Sequence, residues 1–195
     1  MAPEPEFDAA RVHFRTLAHD DLRRMHRWIN DDPEVRQWWS REAGPLEKIV
    51  AKYAPRIGAP GPTRSYIIQY DTNPIGYIQE YLISEHRDWQ RIVGVAEVCA
   101  GVDLFVGEAA YRGRGRGAAI LRKFVREVVF ARPEVESCII GPDENNARAI
   151  RSYEKAGFRP LKRIYDPDSN EHDLLLRIWR DEAPGGARHA LRRTS

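Results

Sequence analysis

The chain has 195 residues, 42% of them hydrophobic and 31% charged, enough for one well-buried core and balanced as water-soluble domains are. Its 31 Lys and Arg against 29 Asp and Glu leave a formal charge of +2. That gives no global electrostatic reason to expect nucleic acid, and no apolar run reaches the length that spans a bilayer. Residues 1–10 carry Pro3, Pro5 and three acids but neither a basic start nor a hydrophobic stretch. They are expected to be a disordered N-terminus rather than a signal peptide, and the default location is cytoplasmic.

A single domain is expected over 11–180. Residues 11–17 alternate apolar and polar side chains at the strand period, and His19, Asp20 and Asp21 then supply capping chemistry for an amphipathic helix ending near Asn30. Pro45 opens a second helical pattern through Ile49, Val50 and Tyr53, closed by a loop rich in Gly and Pro over 58–62. Residues 65–70 and 75–83 read as an antiparallel hairpin across the turn-forming cluster Asp71, Thr72, Asn73 and Pro74. The polar stretch 84–91 reads as a surface loop, and 98–106 as another strand. A helical stripe follows over 118–130, carried by Ile120, Leu121, Phe124, Val125, Val128 and Val129, and then a short apolar strand over 135–140. Residues 145–156 form a third helical pattern ended by Gly157, with strands over 158–165 and 173–179. The order is that of an α+β layered domain, and 181–195, with Arg188, Arg192 and Arg193, is expected to be a flexible tail.

Cys99 and Cys138 lie in apolar segments without a CxxC partner, which favours buried free thiols. No histidine joins cysteines or carboxylates at ligand spacing and there is no HExxH, so no metal is expected. The segment that carries chemistry is Tyr111-Arg112-Gly113-Arg114-Gly115-Arg116-Gly117, between a predicted strand and a predicted helix. Glycines permit the positive φ angles and close backbone approach that wrap a phosphate, while a helix dipole and three arginines favour negative charge. The alternative is a Gly-Arg surface turn. A Walker A loop is excluded, because no Gly-Lys-Ser/Thr follows. A Rossmann fingerprint is matched only loosely through Gly113, Gly115 and Ala118, and four strands and two helices already precede the loop. Coenzyme A is the third nucleotide ligand that fits.

Arg112-x-x-Gly115-x-Gly117 resembles the pyrophosphate loop of GNAT acetyltransferases. Asn146-x-Arg148-Ala149-Ile150-x-x-Tyr153-Glu154-Lys155-Ala156-Gly157-Phe158 is similar to their later helix and strand, and the element order matches over nearly all of 11–179. The resemblance implies a single GNAT-like domain with a central, mixed, mostly antiparallel sheet of about seven strands flanked by helices. It also implies acetyl-CoA as co-substrate, held by Phe105, Val106, Arg112, Gly113, Arg114, Gly115, Arg116, Gly117 and Asn146. A narrower likeness to aminoglycoside 6'-N-acetyltransferases and their siderophore-acylating relatives rests on residues 101–108 with Asp103, on 34–39 ending in Trp38-Trp39, and on 74–79. One departure is Gly141, where that branch usually has an aspartate; Asp143 and Glu144 are the neighbouring acids that would have to serve the same space.

Acetyl transfer to an amine needs a deprotonated nucleophile, a polarised carbonyl and a proton for the departing thiolate. Asp103, in mid-strand beside the loop, is the candidate base, the alternative being a carboxylate in a structural ion pair. Tyr153, seven residues after Asn146 on the same helical face, is the candidate acid, the alternative being core packing. By the resemblance, the amides of Phe105 and Val106 would hold the pantetheine arm and thioester carbonyl if their strand bulges or splays. Trp38 and Trp39 offer faces for a sugar ring or belong to the core. Gln79, with Tyr81 on its side of the strand, would face the acceptor, since Glu80 must point the other way. The expected substrate is a polycationic small-molecule amine, with the protein a monomer and no nucleic-acid or membrane partner. Other readings are a siderophore or protein amine acyltransferase, and a non-catalytic acyl-CoA or nucleic-acid module using Arg112, Arg114 and Arg116.

Overall fold

In the computed structural model, which describes residues 7–58, 61–167 and 170–183, the expected strands are all present. They are Val12–Thr16 (β1), Thr63–Tyr70 (β2), Asn73–Leu82 (β3), Cys99–Val106 (β4), Ser137–Ile140 (β5), Arg159–Asp166 (β6) and Glu171–Trp179 (β7). They form one sheet in the order β1-β2-β3-β4-β5-β7-β6. Every pairing is antiparallel except β4 with β5.

Side-chain alternation along the strands buries both faces of the sheet. On one face Ile68, Ile78, Ala100, Val102, Cys138 and Leu176 pack with Ala118, Leu121 and Phe124 of the helix Arg116–Phe124 (α5). On the other, Ile67, Tyr77 and Phe105 pack with Leu22, Met25 and Trp28 of Asp21–Asp31 (α1), Val35 of Pro33–Trp38 (α2), and Ile49 and Tyr53 of Leu46–Tyr53 (α3). The register sets Gln79 opposite Asp103 and Tyr77 opposite Phe105, so these four share the α1–α3 face. Cys99 and Cys138 are buried free thiols.

Local chemistry fixes the helix ends. Asp32 accepts from the N–H groups of Glu34 and Val35, with Pro33 at the first turn of α2. At α1 it is Asp21 rather than Asp20 that folds back, accepting from the Ala18 N–H at 3.0 Å and from Arg15 at 2.6 and 2.7 Å. The helix Ala147–Ala156 (α6) starts with the Asn146 side chain accepting from Ala149 and ends at Gly157 with φ 108°.

Several expectations are corrected. The stretch expected as a loop over 84–91 contains the helix Arg87–Val93 (α4), whose stripe of Trp89, Ile92 and Val93 is too thin to stand out among polar neighbours. The short α2 was also missed. The helix expected over 118–130 begins earlier, at Arg116, and its continuation Val125–Val129 is a π turn. Residues 7–10, expected to be disordered, are tied down: Phe7 stacks on Tyr70 at 5.1 Å and Asp8 caps the turn Ala9–Arg11. Arg180–Glu182 forms a 3₁₀ turn and Ala183 is buried, so the expected tail is ordered as far as that residue; the remainder, with Arg188, Arg192 and Arg193, lies outside the described residues.

β4 and β5 pair over only Cys99–Gly101 and Ser137–Ile139, whereas β4 stays paired with β3 as far as Val106. Beyond Gly101 the two parallel strands diverge.

Phe124, fully buried and edge-on to both Phe14 and Tyr66, anchors the helix that carries the glycine-rich loop. Phe124→Ala is expected to cost about 3–5 kcal/mol, read as a lower urea midpoint with an unchanged slope.

Candidate active site

The divergence opens a cavity of about 880 Å³ reaching from the glycine-rich loop past Asp103 to the start of β7. At one end Gly113, Arg114 and Gly115 all have positive φ, at 74°, 49° and 79°. A Cβ on Gly113 or Gly115 would meet nothing within 4 Å, so conformation, not crowding, demands glycine there. Among the described residues the N–H groups of Gly113, Gly115, Gly117 and Ala118 have no hydrogen-bond acceptor. Unpaired amides at a helix N-terminus make a cradle for an anionic diphosphate.

The arginines divide differently from expectation. Arg112 is built into the scaffold: Nε donates to Val106 O at 2.8 Å, and Nη2 to Gly107 O at 2.7 Å and to Asp32 at 2.6 Å, with Glu34 at 3.4 Å. Its guanidinium braces the loop against α2. Arg116 donates to Ala110 O, lies over the Phe7 ring and does not line the cavity; its N–H bonds to Gly113 O at 3.0 Å. Arg114 lines the cavity beside Gly113 and Gly115.

The splay expected of β4 is present, with a change of residue. Gly107 N–H bonds to Ile75 O on β3 at 2.8 Å. Since N–H groups alternate sides along a strand, those of Asp103 and Phe105 belong to the β3 ladder and those of Leu104 and Val106 face the open side. The Val106 amide therefore faces the open edge, whereas that of Phe105 is taken up by the β3 ladder and the Phe105 ring is buried between Trp28, Trp39 and Tyr77.

Asp103 sits in the middle of the cavity wall. Its Oδ2 accepts from Gln79 Nε2 at 2.7 Å. The amide is held in that sense because Gln79 Oε1 accepts from Tyr77 Oη at 2.7 Å and Arg56 Nη1 at 2.5 Å, and Tyr77 Oη meets Ser65 Oγ at 2.7 Å. Gln79 thus lines the cavity, but its polar atoms are committed to orienting Asp103. Burial pushes the Asp103 carboxyl above the usual carboxylate range, opposed by the Gln79 hydrogen bond and by the charges of Lys52, Arg56 and His86. Among the described residues Asp103 forms no ion pair; its hydrogen-bond partner is a neutral amide.

Tyr153 lines the same cavity, and burial, reinforced by the negative charge of Asp103, holds its phenol well above its ordinary pKa. Asn146 lines it too, its side-chain oxygen engaged at the start of α6. Trp38 is 37% exposed and Trp39 packs edge-on against Phe105 at 4.9 Å, and both line the cavity. Tyr81 lies against Gly101 and lines a smaller adjoining recess with Trp89 instead.

The sequence reading missed the acidic wall. Asp143, Asp166, Glu171 and Asp173 line the end of the cavity beyond Asp103. Of the two acids considered beside Gly141, Asp143 reaches the cavity, while Glu144 pairs outside it with Arg163 at 3.3 Å. Asp166 and Asp173 read as ordinary hairpin charges until the β6–β7 pair is known to lie beside β5. Tyr53, read only as helix packing, has a fully buried side chain whose hydroxyl lacks a partner among the described residues and which lines the cavity.

A sheet splayed at its parallel pair, with an amide-lined helix N-terminus at the opening, defines an acyl-CoA-type transferase site, and the comparisons agree. Residues 18–165 match the Acetyltransferase (GNAT) domain family, and the chain belongs to it. It is 32% identical over 160 residues to the aminoglycoside N(6')-acetyltransferase type 1 of Klebsiella pneumoniae, covering 80% of this chain and 78% of that one. It is 29% identical over 169 residues to the N(6)-hydroxylysine O-acetyltransferase of Escherichia coli, covering 80% and 48%. Among solved structures, the aminoglycoside acetyltransferase AAC(6')-Ib in complex with coenzyme A and kanamycin superposes with a TM-score of 0.77 at 29% identity, over 88% of this chain and 96% of that one.

Because the Gln79 hydrogen bond favours the charged form of Asp103, Gln79→Ala is expected to raise the Asp103 pKa further. The acid limb of the kcat/KM pH profile should then move to higher pH, as measured by acetyl transfer between pH 5 and 9.

Proposed function

We propose that this acetyltransferase moves acetyl from acetyl-CoA to an amino group of an aminoglycoside, the 6'-amine, and so confers resistance. The observation that carries the reading is a buried, oriented carboxylate between an amide cradle for a diphosphate and an acidic wall suited to a polycation.

The chemistry then follows from the residues. The diphosphate of acetyl-CoA lies on the amides of Gly113, Gly115 and Gly117, with Arg114 beside it. The pantetheine arm runs along the open edge of β4, where the Leu104 and Val106 amides supply donors for the arm and the thioester carbonyl. The acceptor enters as an ammonium, drawn by Asp143, Asp166 and Asp173, with Trp38 and Trp39 beside its sugar rings. Asp103 takes one proton, directly or through a water. The freed nitrogen lone pair attacks the thioester carbon to form a tetrahedral oxyanion, and collapse breaks the C–S bond. The coenzyme A thiolate takes its proton from Tyr153, whose raised pKa keeps the phenol protonated and available as an acid. Products are the N-acetylated amine and coenzyme A.

A hydroxylamine acceptor is the second reading, supported by the likeness to the Escherichia coli O-acetyltransferase. It requires less of the acidic wall, since a hydroxylamine is neutral at pH 7.

Asp103 acts as a base only when ionised, so activity is expected to fall as pH drops through its raised pKa. Asp103→Asn should lower kcat by about 10²–10⁴-fold and abolish that acid limb. The test is thiol release from acetyl-CoA with aminoglycosides bearing a 6'-amine or a 6'-hydroxyl. Turnover confined to the amines supports the proposal; turnover of hydroxylamines alone favours the second reading, and no turnover with any aminoglycoside contradicts the first.

A further inference from the structure

A Cβ built on Gly141 would come 2.8 Å from Leu175 Cδ2, 3.9 Å from Asp173 Oδ2 and 4.0 Å from Asp173 Cβ. A side chain at 141 would therefore collide with Leu175, which is fully buried and packed, while its Cβ would stand at ordinary contact distance from Asp173. The two segments are also stitched together. β5 pairs with β7 only from Leu176 onward, and the chain after β5 continues the contact through Leu174 N–H to Pro142 O at 3.0 Å, Glu144 N–H to His172 O at 2.9 Å, and a bridge between Asp143 and Asp173. The start of β7 is thereby fixed against the cavity.

Asp173 lines both the main cavity and the smaller recess beside Asp103. Its carboxylate accepts no hydrogen bond and meets no cation among the described residues. The charged groups facing it are the carboxylates of Asp143 on the loop, Asp166 on β6, Glu171 on its own strand and Asp103 on β4, with Arg41 already paired to Asp166 at 3.2 Å. Tyr53, whose fully buried hydroxyl is also without a partner among the described residues, is one of the residues around the same cavity. Polar groups left unpaired around a cavity mark a place for a polar ligand.

We infer that Asp173 is the specificity-determining carboxylate of the acceptor site, binding a second ammonium group of the substrate while Asp103 handles the reacting amine, and that residue 141 is glycine to admit it. The inference rests on the proposed amine-acceptor reading and deepens it: the preferred substrate carries at least two amines, and one amine is held without reacting. Burial first, and then the four neighbouring acids, push the Asp173 carboxyl up to about 6. A bound ammonium would restore its charged form.

The sign of the stability effect separates this role from a structural one. A carboxyl whose pKa is raised on folding contributes stability that is present below its unfolded pKa and lost as pH rises through about 6. Asp173→Asn should accordingly melt at or above the wild-type temperature at pH 8. With kanamycin as the probe, Asp173→Asn is expected to raise the acceptor KM roughly tenfold, with kcat and the acetyl-CoA KM nearly unchanged, and Asp173→Glu should recover most of the loss. Asp173→Ser serves the same comparison should the amide variant fold poorly. In an Asp103→Asn background, calorimetric binding of kanamycin should tighten as pH rises through 6 and lose that dependence when Asp173→Asn is added. A folded Asp173 variant with wild-type kanamycin KM would overturn the inference while leaving the proposed function standing. Absence of wild-type turnover with any aminoglycoside overturns the proposed function and the inference with it.

Discussion

The site depends on two parallel strands that cannot stay together. β4 follows β3 in an antiparallel ladder through Val106, while β5 ends at Ile140 and its continuation is drawn to β7 through Pro142 and Asp143. Each strand keeps the partner that offers more hydrogen bonds, and the shared ladder lasts three residue pairs. A strand edge opened inside a protein exposes N–H and C=O groups that need partners. Here they face a cavity instead of solvent, and an extended acyl carrier with its own amides is the kind of ligand that completes such an edge. The helices following β4 and β5, α5 and α6, begin at the same opening, so their positive ends converge on it.

Placing a carboxylate at that opening costs desolvation, and the surrounding residues limit the cost without neutralising the charge. Gln79 gives Asp103 one firm donor, and Tyr77, Arg56 and Ser65 keep the amide from turning. Among the described residues no guanidinium contacts Asp103 directly, which leaves it able to gain and lose a proton. Arg112 shows the opposite solution: its guanidinium is surrounded by two carbonyls and two carboxylates and serves to hold loop and helix together. One cavity thus contains a fixed charge that stabilises the fold and a less fully paired one suited to chemistry.

Much of this was legible in the residues. Alternation over 11–17, apolar runs and turn clusters between them marked all seven strands, and the Gly-Arg loop and the Asn146 to Phe158 segment led to the family because their glycines and cap are required by backbone geometry. What could not be read was whatever depends on topology. Asp166 and Asp173 are unremarked hairpin acids until β7 is inserted beside β5, and Arg112 looks like a phosphate ligand until α2 brings Asp32 and Glu34 against it. Phe105 and Val106 are adjacent in sequence, yet alternation sends one amide to the β3 ladder and the other to the open edge. The short helices α2 and α4 were missed because each buries too few side chains to show a period.

The most direct test of the account is a crystal structure of the protein with coenzyme A and kanamycin together. The account predicts diphosphate oxygens on the amides of Gly113, Gly115 and Gly117, with the 6'-amine within hydrogen-bond reach of Asp103, directly or through one water. A diphosphate bound away from that loop, or an acceptor whose amines all face away from Asp103, would contradict it.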